Sequence, residues 1–280
     1  MMKRIDFTKM VASGNDFVVV EGDKVNSRLH PRQVRSQCYK MLARRVCDRK
    51  FGIGADGLLI LERSKKADVR MRIFNADGSE AEMCGNGARC TALWVKSKIK
   101  NNKSKRLKIE TVAGIIEAQV DKANVRIKLT SPHSVKTDLP IKVGNRSLRV
   151  NFIDTGVPHT IIFVEGLEKI VIDDLGREIR YHKAFSPKGT NVNFIEVLNN
   201  DSIKIRTYER GVEAETLACG TGSTAAALIF ALRAGLKNTV NVHTKSGEIL
   251  KVFFDKANNN FKDVWLEGRA AIAYKGEYYV

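Results

Sequence analysis

Nowhere does this 280-residue chain approach the ~20 consecutive apolar residues that a membrane-spanning helix requires. The opening Met1-Met2-Lys3-Arg4-Ile5-Asp6 has no apolar signal region, so neither a membrane nor a secretory destination is expected. Cysteine is sparse and odd in number, five in all, without the spacing of a disulfide framework. That excludes a stapled extracellular scaffold and points to a reducing cytoplasm. No Cys-x-x-Cys pair and no closely paired histidines occur, so no metal centre is expected. Acidic residues are outnumbered, 31 Asp and Glu against 48 Lys and Arg, for a formal net charge of +17. The excess is densest from Lys96 through Lys98, Lys100, Lys103, Lys105 and Arg106 to Lys108. That run has few interleaved aromatic residues, and Asn101-Asn102 marks it as an exposed turn. With no zinc-finger spacing, aromatic RNA-binding signature or recognition helix, it reads as solvated surface and not as a nucleic-acid site.

What the chain does have is a duplication. Ala81-Glu-Met-Cys84-Gly-Asn-Gly-Ala-Arg89 is echoed by Thr216-Leu-Ala-Cys219-Gly-Thr-Gly-Ser-Thr224. Upstream, and allowing one extra residue in the second copy, Arg72 pairs with Arg206, Phe74 with Tyr208 and Glu80 with Glu215. Asn15-Asp-Phe-Val-Val-Val-Glu-Gly22 echoes His159-Thr-Ile-Ile-Phe-Val-Glu-Gly166, which matches Asn15 with His159. Phe51-Gly-Ile-Gly-Ala-Asp-Gly-Leu-Leu-Ile60 echoes 188–195 more loosely. A period of about half the chain means two homologous domains and not a solenoid. Length agrees, at roughly 150 residues per domain, and 43% hydrophobic residues suffice for two cores. The boundary is expected at Ser131-Pro132, giving domains 1–130 and 131–269, with 270–280 packing back onto the first.

The patterning predicts many short strands and few helices. Strands are expected over 5–12, 16–21, 58–62, 69–74, 107–119 and 124–130 in the first half. The second half repeats them over 148–154, 160–164, 191–197, 202–208, 240–244, 248–254 and 264–267, with a last extended segment, 268–279. Helices are expected over 30–49, where Val34, Cys38, Met41, Leu42 and Val46 share a face, and over 88–98 and 223–234, with Gly235 as a stop. The fold class is α+β: two homologous domains, each a rolled, mostly antiparallel sheet around a central helix. The cleft between two such domains is the default site for a small ligand.

Cysteine at a helix N-terminus meets free backbone N–H groups and the positive end of the macrodipole, both of which favour thiolate. Two such cysteines in matching halves, Cys84 and Cys219, form an acid/base pair for inverting a carbon centre. One must be thiolate and the other thiol, exchanging roles with direction, and their titrations are coupled. Gly85, Asn86 and Gly87 with Gly220, Thr221 and Gly222 offer backbone N–H groups to a carboxylate. Cys38, Cys47 and Cys90 read as small buried hydrophobes. A disulfide between Cys84 and Cys219 does not suit a reducing compartment.

These residues resemble the diaminopimelate epimerase family along nearly the whole chain. The resemblance rests on Gly14-Asn15-Asp16-Phe17, Phe51-Gly-Ile-Gly-Ala-Asp56, Phe74-Asn-Ala-Asp-Gly-Ser79 and Met83-Cys-Gly-Asn-Gly-Ala-Arg-Cys90. Pro158-His159 and Tyr208-Glu-Arg-Gly211, leading into Ala218-Cys-Gly-Thr-Gly222, complete it. The resemblance implies interconversion of LL- and meso-2,6-diaminopimelate without pyridoxal phosphate or other cofactor, for lysine and peptidoglycan precursors. It implies a supporting site role for His159, orienting substrate or assisting a thiol, and places Glu209 near the substrate amino groups and one of the thiols. Arg210 would take the far carboxylate, Asn75 and Asn191 the distal end, and Asn15 the proximal end. Tyr208 reads as packing. Some family members carry Asn where this chain has Val157 and Gln where it has Gly57, each a polar contact to the distal end lost here. The partner implied is a small-molecule substrate, with no nucleic acid and no membrane, and with a homodimer as an open assembly. Two further readings stand beside it. One is another cofactor-independent amino-acid racemase or epimerase of the same fold, such as one acting on proline or hydroxyproline. Against it stand Cys84-Gly-Asn-Gly in place of Cys-Gly-His and the presence of Asn75, Asn191 and Arg210. The other is a non-enzymatic basic binding protein, which two intact cysteine motifs oppose.

Overall fold

The computed structural model describes residues 4–23, 25, 35–99, 106–257 and 260–279. The first part of the helix expected over 30–49 and Lys100, Lys103 and Lys105 of the basic run lie outside them. Two compact units divide the chain, Met1–Ile127 with Gly268–Val280 and Lys128–Glu267.

In the first unit β1 (Arg4–Ala12) and β2 (Asn15–Glu21) form an antiparallel hairpin. Helix α1 (Arg35–Cys47) then returns the chain to β3 (Gly57–Glu62), which runs parallel to β2. β4 (Val69–Asn75) is antiparallel to β3, and its far edge carries β5 (Glu80–Ala81) and, in parallel, β6 (Arg106–Thr111). Between those two lies helix α2 (Gly85–Lys98). β7 (Gly114–Asp121) and β8 (Asn124–Lys128) extend the sheet, and the last strand of the chain, Ala271–Tyr279, joins its other edge at β1.

The second unit has the same order. β9 (His133–Val143) and β10 (Arg146–Asp154) are antiparallel, as are β10 and β11 (Pro158–Phe163). Helix α3 (Ile172–Arg180) leads to β12 (Asn191–Asn199), parallel to β11. β13 (Ser202–Glu209) carries β14 (Ala214–Thr216) and, in parallel, β15 (Thr239–His243), with helix α4 (Gly220–Ala234) between them in sequence. β16 (Ile249–Ala257) and β17 (Asn260–Arg269) follow antiparallel.

Each unit thus has one helix wrapped by its sheet and one on the outside. Every residue of α4 from Gly222 to Ala231 is buried, and the helix packs on strands β10 through β13 and on β15 and β16. A helix that is apolar all round, as Ala225-Ala-Ala-Leu-Ile-Phe-Ala231 is, can only be buried. The outer helices cover the sheets' other faces: Tyr39, Leu42 and Val46 pack on Val18, Leu58, Ile60 and Phe74 in the first unit. Ile172 and Ile179 pack with Ile162, Val192, Phe194 and Tyr208 in the second.

Five features differ from the sequence-based expectations. The run 107–119 is two strands, because Gly114 at φ +125 turns the chain back on itself and pairs with Thr111. The strand 133–143 and the helix Ile172–Arg180 were not anticipated; the helix is short, with Asp173 and Asp174 in its first turn and Arg177 and Arg180 in its last, complementing its dipole. Cys38 on α1 is only partly buried, although Cys47 and Cys90 are buried. Both post-cysteine helices begin three residues earlier than expected, at Gly85 and Gly220, so each cysteine is itself the N-cap. The αL conformation of Gly235 (φ 71) ends α4.

Candidate functional site

The two cysteines have the same local construction. Cys84 has extended backbone, and its Sγ accepts from Gly87 N at 3.5 Å. Cys219, also extended, accepts from Gly222 N at 3.4 Å and lies 3.4 Å from Thr221 Oγ1. The segment leading to each is held by a two-bonded arginine–carboxylate pair, Arg72 to Glu80 (2.7 and 2.8 Å) and Arg206 to Glu215 (2.7 and 2.9 Å). These pairs realise the duplicated Arg and Glu of the sequence.

Around Cys84, the side chain of Asn86 donates to Asn15 Oδ1 at 2.7 Å and accepts from the buried Arg89 at 2.6 Å. Asn15 in turn donates to Asp56 Oδ2 at 3.0 Å. Asp16 is clasped by Arg49 (2.8 and 3.1 Å) and Lys9 (2.9 Å); despite the upward push of its burial, these cations hold its carboxyl well below the usual range. Arg89, Asp56 and Arg49 were given no role from sequence. The one signal available was an arginine inside an otherwise apolar helix run. Asn75 ends β4 and donates to Ser79 Oγ at 2.9 Å. Gly85 opens α2, where an added Cβ would meet Ile127 Cδ1 at 3.2 Å.

In the second unit the remaining expected residues converge through sheet register. His159 on β11 pairs with Asn191 on β12. Val192 pairs with Tyr208, which sets Asn191 beside Glu209 at the end of β13. Three neighbouring strands therefore carry His159, Asn191 and Glu209 in one row. The corresponding row of the first unit is Phe17, Gly57 and Asn75. The structural counterpart of His159 is thus Phe17 and not Asn15, because sheet register slips the sequence match by two residues and keeps the face. At Gly57 an added Cβ would lie 3.0 Å from Phe74 O and 3.4 Å from the Phe17 ring, which explains the small residue there.

Asn191 donates to Pro158 O at 3.1 Å and accepts from Arg210 N at 2.9 Å, so it ties the row to the following turn. One hydrogen and one lone pair of its amide remain for a ligand. The Arg210 guanidinium donates to Lys188 O at 3.3 Å. Gly220 opens α4 against Leu266, and the Thr221 carbonyl accepts from Thr155 Oγ1 at 3.3 Å.

Burial governs the electrostatics here. It pushes the Cys219 thiol up to about 12, aided by the nearby Glu209 carboxylate and opposed by hydrogen bonds from Thr221 and Gly222. The helix N-terminus alone favours thiolate, so at Cys219 desolvation outweighs it. Burial also raises Glu209, against a hydrogen bond from Thr216. His159 is fully buried, and desolvation followed by the Arg210 charge lowers it from 6.5 to about 3.

That shift has a measurable sign. Between pH 6.5 and 3 the unfolded chain binds a proton at His159 that the folded chain does not, so folding stability falls as pH drops through this window. His159→Phe, which installs the residue of the equivalent position Phe17, removes this dependence. The wild-type stability should fall relative to the variant by about 1 kcal/mol per pH unit between 6.5 and 4.5, more steeply toward the lower end. The Glu80 and Glu215 carboxyls, lowered by their arginines, titrate below that range. Glu209 is common to both proteins and drops out of the difference. Urea unfolding of both proteins at four pH values tests this, and parallel stability curves would refute it.

A family model described as diaminopimelate epimerase matches residues 7–135 and 151–270. The chain is 43% identical to the diaminopimelate epimerase of Aquifex aeolicus strain VF5, with 97% of each chain covered. Among solved structures, it is similar in fold to a Bacillus anthracis phenazine biosynthesis protein of the PhzF family (TM-score 0.73, 18% identity, all of both chains covered). It is likewise similar to a hydroxyproline epimerase from Agrobacterium vitis (TM-score 0.68, 16% identity, covering 99% of this chain and 92% of that one). With a family match that takes in both cysteine motifs and most of both units, the chain belongs to the diaminopimelate epimerase family.

Proposed function

We propose that this enzyme interconverts LL- and meso-2,6-diaminopimelate by a two-base mechanism in which Cys84 and Cys219 each serve one face of the α-carbon. The observation that carries the reading is the repeated geometry, a cysteine capping a buried helix with its Sγ on the N–H three residues on. An α-proton beside a carboxylate is a very weak acid, because its removal adds charge to a group already negative. Fixed donors must meet that charge as it develops. The N-terminal amides of α2 and α4 supply them: Gly85-Asn86-Gly87 and Gly220-Thr221-Gly222 present N–H groups where small residues permit close approach.

One cysteine is thiolate and the other thiol in the working pair, and burial favours the thiol form at Cys219. Return of the proton on the opposite face exchanges the two roles. Glu209 modulates Cys219 and meets a substrate ammonium group, while His159 offers its ring N–H to the site. Arg210 gives the distal carboxylate a planar two-bonded partner, Asn75 and Asn191 are amide partners for the distal end, and Asn15 serves the proximal end. The pathway served is lysine and peptidoglycan precursor synthesis in the cytoplasm.

Incubation of the reduced protein with LL-diaminopimelate in deuterated water tests the reading. Chiral separation should give meso product with one deuterium at the inverted carbon. A monocarboxylic amino acid run in parallel should turn over far more slowly. A folded, reduced sample that binds diaminopimelate without exchange or inversion would overturn the assignment.

A further inference from the structure

The row of His159, Asn191 and Glu209 leaves one buried polar residue without a role. Asn193 lies two residues beyond Asn191 on β12, on the same face, and is fully buried. Its Nδ2 donates to Thr160 O at 3.2 Å and sits 3.1 Å from His159 Nδ1, while its Oδ1 accepts from Thr207 Oγ1 at 3.0 Å. A carbonyl can only accept, so the amide atom facing Thr160 O is the NH2 group, and the orientation of Asn193 follows. The same NH2 group faces His159 Nδ1, which must therefore be an acceptor. An imidazole that accepts at Nδ1 carries its single proton on Nε2. His159 Nε2 is itself buried and has no hydrogen-bond partner among the described residues.

A comparison within the chain isolates what Asn193 adds. Asn193 pairs with Ile161 across the parallel β11–β12 ladder, and the equivalent residue of the first unit is Leu59, paired with Val19. Leu59 packs over Gly87 as Asn193 packs over Gly222, where an added Cβ would meet Leu59 Cδ2 at 3.1 Å and Asn193 Oδ1 at 2.5 Å. An apolar side chain of similar size thus suffices to hold the sheet on the helix start. The amide occurs in the unit that has a histidine to orient.

We propose that Asn193 is a positioning residue that locks His159 in its neutral Nε2–H tautomer and ties that ring to the start of the Cys219 helix. The consequence for the reaction proposed above, on which this inference rests, is a donor aimed by the fold before substrate arrives. A ring free to choose its tautomer would present a lone pair there part of the time and could not meet developing negative charge.

The test uses the full-length protein with 15N-labelled histidine rings, as wild type, Asn193→Leu and Asn193→Asp. Long-range 1H–15N spectra of the wild type should show His159 protonated at Nε2 and not at Nδ1. Asn193→Leu, which copies Leu59, should fold and show mixed tautomers. Asn193→Asp places an acceptor against Nδ1 and should move the proton there. Both variants should lose kcat by roughly 10–100-fold, the scale known for partners that orient metal-ligating histidines, with KM changed much less. A wild-type ring protonated at Nδ1 would overturn the proposal, and so would an Asn193→Asp protein with a shifted tautomer and unchanged kcat. If Asn193→Leu fails to fold, those two measurements still decide. The tautomer is read without turnover, so a wild type lacking epimerase activity would sink the proposed reaction and leave this assignment to the spectrum.

Discussion

Cys84→Ser and Cys219→Ser should each lower diaminopimelate epimerisation by about a thousandfold or more, or ~4 kcal/mol of barrier. Serine preserves the N-cap geometry, since its hydroxyl accepts from the N–H three residues on as well as a thiolate does. What it cannot do is exchange a proton with carbon near neutral pH. Inversion needs both faces served, so neither loss is masked by the surviving thiol. A halogenated analogue that only needs proton removal on one face should still eliminate with one of the two variants in each stereochemical series. Cys38→Ser, on the outer helix α1, is the control and should keep its turnover. Near-normal epimerisation by either site variant would end the two-base reading, while the fold and family would stand.

Gly222→Ala should cost kcat/KM at least about a hundredfold, the scale expected of a misplacement of about 1 Å at a reacting group. The added Cβ would lie 2.5 Å from Asn193 Oδ1 and 3.3 Å from Cys219 Sγ. Asn193 cannot yield, being pinned to His159, Thr160 and Thr207. The helix start must therefore shift and take Cys219 with it. Overpacking of this kind should also reduce stability by about 1–3 kcal/mol. Gly235→Ala separates the two effects. At φ 71 with nothing within 4 Å of an added Cβ, it should cost ~1–2 kcal/mol of stability through backbone strain alone and leave kcat/KM intact. Should Gly222→Ala lose no more activity than Gly235→Ala, the close approach at the helix start has no bearing on catalysis.

Much of the fold was legible because it is carried by local pattern and repetition. Strand alternation, the apolar runs after each cysteine and the doubled Arg…Glu spacing all survive into the structure as ladders, central helices and matched ion pairs. Illegible were features whose signal is weak along the chain. The strand 133–143 is largely exposed and lacks a clean apolar alternation. The helix Ile172–Arg180 is an exception, since Ile172, Leu175 and Ile179 carry the i, i+3, i+7 spacing of an apolar face in a segment of barely two and a half turns, and the pattern was there to be read. The turn at Gly114 interrupts a run that reads as one strand, since a positive φ leaves no trace in hydropathy.

The sequence by itself determined the duplication, the family, and the pairing of Cys84 with Cys219, because each is written in contiguous residues. That each cysteine is the N-cap itself came from the structure. Tertiary structure alone decided which residues stand side by side. The row of His159, Asn191 and Glu209 spans three strands and exists only through the register of β11, β12 and β13. The same register matched His159 with Phe17 and Asn193 with Leu59, correcting a similarity that the chain order had set two residues off. Register of this kind is set by side chains packing on both faces of the sheet, where a slip of two keeps every face and changes every neighbour. The protonation of Cys219 and His159 was decided at the same level, by burial that no run of letters records.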